Sequence, residues 1–103
     1  MKLLVNQNSS TTGNPVKSDG WYGKSDHIHT VGVYTSNFFG SIFIEGSLVE
    51  NPSESDWFII KQFDWVQGDN IQNKAASFSG IYSYIRARTE VGFGRIDRVI
   101  ISL

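Results

Sequence analysis

The chain has 103 residues and a mass of 11.6 kDa, with 40% hydrophobic and 18% charged residues, enough for one compact domain and too little for a second core. Nine Lys and Arg against ten Asp and Glu leave a formal charge of -1, so no overall positive field holds a phosphate backbone or an anionic membrane, and neither nucleic acid nor membrane is an expected partner. There is no cysteine, which excludes disulfides and thiolate chemistry, no apolar run approaches the roughly 20 residues of a bilayer span, and the N-terminus lacks the apolar segment of a secretory signal.

In chain order, the apolar residues recur mostly at period two between Gly, Asn, Ser and Pro, which predicts an all-β chain. Leu3, Leu4 and Val5 are a short first strand. The polar stretch that follows, residues 6–22, is expected as a loop or as an arm that gains order by lying on a neighbouring subunit. HIHTVGVYT forms the next strand, weakened at Gly32 or marking close backbone approach there. SIFIEGSLV follows, with Ile42, Ile44, Gly46 and Leu48 on one face and Phe43, Glu45, Ser47 and Val49 on the other.

After a turn at ENPSESD, WFIIKQF puts Trp57, Ile59 and Phe63 on one face with the stem of Lys61, against Phe58, Ile60 and Gln62. DWVQGDNIQNK reads as a long turn, and Ala75 to Ser79 as a short strand. IYSYIRART alternates Ile81, Ser83, Ile85 and Ala87, assigned to the core, with Tyr82, Tyr84, Arg86 and Arg88, assigned to an exposed or partner-facing surface. Gly92 and Gly94 bend the chain before RVIISL, whose Val99, Ile101 and Leu103 close the domain. Six to eight short strands at this spacing predict a single β-sandwich over residues 1–103, jelly-roll or immunoglobulin-like, with a small β-barrel as the alternative.

Charge is polarised along the chain. Between Glu45 and Asp69 six acids face one base, Lys61, and between Arg86 and Arg98 four bases face two acids. These segments either pair neighbouring copies or cancel within one fold.

Few residues suggest chemistry. Asp26, His27 and His29 are the one local metal-like group, with both imidazoles on one strand face but no third ligand identified. Asp64 with Asp69, or Glu54 with Asp56, are the nearest approach to paired carboxylates, which glycoside hydrolysis needs at a defined separation with different proton affinities. No nucleophile elbow and no phosphate-binding loop occurs. No catalytic, cofactor-binding or metal residue is therefore assigned, no cofactor is expected, and the chain is expected not to be an enzyme. Trp21, Tyr22 and Trp65 are candidates to stack on a sugar ring, so a glycan is the alternative partner.

SIFIEGSLVENPSESDWFIIKQF, with its strand ending at Glu45-Gly46-Ser47-Leu48 and its return opening on Trp57-Phe58, resembles a hairpin of small β-sandwich virion proteins of tailed bacteriophages. GIYSYIRARTE, containing Tyr84-Ile85-Arg86-Ala87-Arg88, is similar to the penultimate strand of that module. The resemblance spans Val31 to Leu103; the strand-turn-tryptophan pattern is shared with discoidin-like carbohydrate-binding domains, and the acidic ENPSESD departs from the usual short connection. It implies a non-enzymatic virion protein, a capsid decoration or cement protein that stabilises contacts between capsid subunits. Its expected partners are the major capsid protein or other virion proteins and itself, as a homo-oligomer and possible trimer. Contact elements would be the segment from Asn6 to Tyr22 and the Tyr82, Tyr84, Arg86 and Arg88 face. The alternatives are a carbohydrate-binding module and a small tail or neck component.

Overall fold

The structure, a computed structural model, describes residues 2–18 and 28–102. It is all-β, one antiparallel sheet of six strands: β1 (Lys2–Gln7), β2 (Val16–Lys17), β3 (Ile28–Ser47), β4 (Phe58–Trp65), β5 (Lys74–Ser79) and β6 (Tyr84–Ser102). The strand order is β1-β6-β3-β4, with β2 added to β6 and β5 added to β3.

Two strands dominate. The segments expected as separate strands, HIHTVGVYT and SIFIEGSLV, are one continuous β3 of 20 residues, and β6 runs unbroken through Gly92 and Gly94 for 19. A straight strand of that length would measure roughly 65 Å at ~3.3 Å per residue, yet the longest dimension of the molecule is 40 Å. The β3/β6 ribbon is therefore folded over. Its first layer pairs β3 residues 28–33 with β5, and β6 residues 96–100 with β1; its second pairs β3 residues 40–46 with β4, and β6 residues 84 and 85 with β2. The Tyr82 ring lies 6.1 Å from Phe78 on β5 and 6.0 Å from Phe58 on β4, so the two ends of β3 meet at one end of the molecule.

The fold-over has identifiable backbone causes. Asn37 has φ 48° and Gly40 φ 143° on β3, facing Gly94 with φ 90° on β6, and the β3–β6 register shifts between Ser36 and Phe39 and again before Gly40. A Cβ on Gly40 would overlap the Glu90 carbonyl oxygen, and one on Gly94 the Asn37 carbonyl oxygen. Gln72 fills the gap in the ladder: its Oε1 accepts from the Phe38 N–H at 2.8 Å and its Nε2 donates to the Phe38 carbonyl at 3.4 Å. One primary amide thus stands in for a missing strand residue. The Gln72 carbonyl accepts from Thr35 Oγ1 and from the Trp65 indole N–H, each at 2.8 Å.

Folding the ribbon brings its apolar stripes face to face. Val31, Val33, Ile42, Ile44, Ile85, Ala87, Ile96, Val99 and Ile101 are buried between the layers with Leu3, Leu4, Phe38, Phe63, Trp65 and Phe78. The predicted alternation is corrected in three places. A bulge at Ile60 breaks the β3–β4 register between Ile44 and Glu45, so Phe63 lies in the core while Trp57 and Ile59 sit on the outer face. Leu48 and Ile81, assigned to core faces, are exposed, because both lie beyond the paired strands. Phe43, Glu45 and Ser47, on the face opposite Ile42 and Ile44, are buried as well.

The polar arm is resolved as part of the same chain over residues 10–18. Thr89 N–H donates to the Thr11 carbonyl, Gly13 N–H to Ala87, and Ser18 N–H to Ser83, at 2.8, 2.8 and 3.0 Å. These bonds, with β2, cover the free edge of β6, so the described part of the arm supplies an edge to its own domain. Residues 19–22 of that arm, and Leu103, lie outside the described residues.

Candidate functional site

Register decides what faces outward on the second layer. Across the β3–β6 ladder Phe43 is paired with Arg88 and Glu45 with Arg86. Directly opposed side chains approach to about 5 Å, so both arginines lie flat over β3. Arg86 Nε donates to Glu45 at 2.9 Å and Arg88 Nε to the other Glu45 oxygen at 3.1 Å. The Arg88 guanidinium stacks over Phe43 at 4.2 Å.

The turn at Glu54–Asp56 completes the group. It is closed by Asp56, whose carboxylate accepts from the Ser53 N–H at 2.7 Å, and it swings Glu54 over the sheet. Arg86 then donates from both terminal nitrogens to Glu54, at 3.1 and 3.0 Å, the bidentate geometry that makes guanidinium–carboxylate pairs strong. Trp57 covers the guanidinium at 4.2 Å. Arg86 is only 6% exposed. Burial opposes its charge, but the hydrogen bonds and charges of Glu54 and Glu45 outweigh that and hold its pKa above the ordinary value.

This answers the charge polarity of the sequence. The acidic segment and the basic one cancel within the fold, and Arg86, expected on an exposed or partner-facing surface, is buried in the cancellation. Tyr82, expected beside it, is half-buried against the core. Tyr84 and Trp57 border an open groove of about 640 Å³ that is also lined by Thr12, Pro15, Glu50 and the Arg86–Glu54 pair.

The other candidates fall apart as chemical groups. Trp65 is 3% exposed, edge-on to Phe38 at 5.1 Å and covered by the Lys74 ammonium at 4.8 Å, so it offers no face to a sugar. His29 is a core side chain whose Nε2 lies 3.2 Å from the Gly80 carbonyl, with Phe78 beside the ring at 5.1 Å; Asp26 and His27 lie outside the described residues, as do Trp21 and Tyr22. Among the described residues no three His, Asp or Glu are grouped to hold a metal ion. Asp64 accepts from Ser41 at 2.6 Å and Gln62 at 2.9 Å. Asp69 accepts from the Val66 N–H at 3.3 Å within its own turn.

A second surface was missed by sequence reasoning. At the fold-over, Phe39 and Phe93 stack with centroids 6.2 Å apart beside a cavity of about 520 Å³ floored by Phe38 and Gln72. Phe93 is 62% exposed, and Val66 and Ile71, which flank the neighbouring turn, are 71% and 68% exposed. The available signal was Gly92-Phe93-Gly94, an aromatic residue in a stretch with no alternation to bury it.

Compared with known proteins, the chain matches no family model, no curated protein and no solved structure.

The carboxylates give a pH dependence. The Arg86 hydrogen bonds and charge hold Glu54 below 4.5, and hydrogen bonds from Ser41 and Ser36, respectively, hold Asp64 and Asp97 below 3.8. Each folded-state pKa is depressed, so the stability these groups contribute is complete above the unfolded values and is lost as pH falls through the folded ones. Urea midpoints should be flat from pH 7 to about 5 and fall progressively below about 4.5, with a shallower fall in Glu54→Gln.

Proposed function

We propose that this protein is a non-enzymatic structural protein of a virion, a rigid β body that binds neighbouring virion subunits through the apolar surface at its fold-over. The observation that carries this reading is the exposure of Phe93, stacked on Phe39 at the fold-over beside the turn of Gln67, Gly68 and Asp69. An exposed aromatic pair bordering a cavity is the kind of apolar surface that protein contacts cover. The sequence resemblance to small phage β-sandwich proteins supplies the setting, and capsid decoration is its finer form. The ion-pair network fits a rigid body, since it ties Glu45, Glu54, Arg86 and Arg88 to one another across two strands and a turn.

The test is mass spectrometry of purified phage particles from the host that carries the gene. The protein should be present in particles, and Phe93→Asp should fold but fail to incorporate; its absence from particles overturns the proposal. The groove beside Trp57 and Tyr84 favours a second reading, carbohydrate binding. Glycan-array binding abolished by Trp57→Ala, in a protein absent from particles, would establish that reading instead.

A further inference from the structure

Every open sheet edge invites pairing with another strand, and proteins block it with charge, proline, bulges or irregular backbone. Three of the edges here are blocked. β1 carries Lys2, a register shift between Lys2 and Leu4, and Asn6 at φ 51°. β2 is two residues long, preceded by Pro15 and ending at Lys17. β4 carries Lys61, Asp64 and the bulge at Ile60.

β5 has none of these devices beyond its first residue. Its sequence is KAASFS, its pairing with β3 runs from Ile28↔Ser79 to Val33↔Lys74 without a shift, and among the described residues no strand pairs with its outer edge. Its outward side chains, Ala75, Ser77 and Ser79, are small, uncharged and exposed.

We propose that β5 is a self-association edge, where two copies of the chain pair antiparallel about a two-fold axis at Ser77. A two-fold axis perpendicular to a sheet sets one residue opposite its own copy and keeps both faces in phase. Centred on Ser77, the pairing sets Ala75 opposite the second copy's Ser79 on the outer face and Ala76 opposite its Phe78 on the inner face. Lys74 meets Gly80, so no like charges are opposed. The same operation on β4 about Lys61 or Asp64 would oppose two charges of one sign, which destabilises a pair. The inference stands apart from the proposed function, since it uses neither Phe93 nor a virion partner.

The test is solution mass by light scattering over a concentration series reaching about 1 mM. The wild-type mass should rise from 11.6 kDa toward twice that value. Ser77→Asp and Ser77→Lys should each stay monomeric, because each opposes two like charges across the axis, and mixing the two should restore the double mass. Ser77 donates or accepts one exposed hydrogen bond, with Thr30 Oγ1 at 2.9 Å, so Thr30→Val removes that bond without charging the edge and should remain dimeric. A monomeric wild type, an oligomer indifferent to the Ser77 charges, or charge variants that fail to recombine would each overturn the proposal.

Discussion

Arg86→Ala is expected to lower the stability of the domain by about 3–5 kcal/mol, the cost of removing one partner from a buried ion pair. For a domain of this size that corresponds to a fall in Tm of roughly 12 °C or more. The reason is the state of Glu45, which is 6% exposed and would retain only the Arg88 bond at 3.1 Å. The loop from Glu50 to Trp57 would also lose its anchor, since Glu54 is held to the sheet by Arg86. Arg86→Lys should recover little, because an ammonium cannot reproduce the bidentate pair with Glu54 and the flat stack on Trp57. The double variant Arg86→Met with Glu45→Leu should recover most of the loss, as replacing both members of a buried pair removes the desolvation cost together with the attraction. A double variant no more stable than Arg86→Ala would show that the network matters for something other than charge compensation. Thermal unfolding of the three variants beside the wild type decides between these outcomes.

Gly40→Ala is the second large effect. At φ 143° an L-residue is strained by about 1–3 kcal/mol, and here the added methyl would also overlap the Glu90 carbonyl oxygen in the facing strand. Backbone cannot swing aside as a side chain tip can, so the expected loss exceeds about 3 kcal/mol. Gly32→Ala, in the same strand, is the control. Its Cβ would rest 3.5 Å from the Tyr34 ring, an ordinary contact, so the change should be neutral or stabilising by up to about 1 kcal/mol. Both variants are measured by urea unfolding. Equal midpoints for the two would mean that the fold-over does not depend on the Gly40 backbone.

The first prediction concerns a feature that sequence patterning touched without resolving. Glu45 and Arg86 each stand out in strands of otherwise clean alternation, and the opposite charges of their segments were visible. What makes them partners is the β3–β6 register, which sets them opposite each other 41 residues apart. Gln72 gave no signal, because it lies in a polar turn like many glutamines. Its value comes from a gap in a strand that is close to it only after folding. Trp65 reads equally well from sequence as a surface platform and as a core residue, and the folded chain decides by packing it against Phe38.

By itself, the sequence determined that the chain is all-β, that it forms one small core, and which stretches are extended, since period-two alternation and turn residues act locally. It also placed part of the core, Ile42 and Ile44, Ile85 and Ala87, and Val99 and Ile101. Only the tertiary structure decided that the short strands join into two long folded ones. A positive-φ kink, a bulge at Ile60 and an amide bridge from Gln72 all depend on what lies across the sheet, and long-range pairing leaves no mark in local periodicity. For the same reason the exposed fold-over at Phe93 and the unguarded edge of β5 emerged only when the strands had been given neighbours.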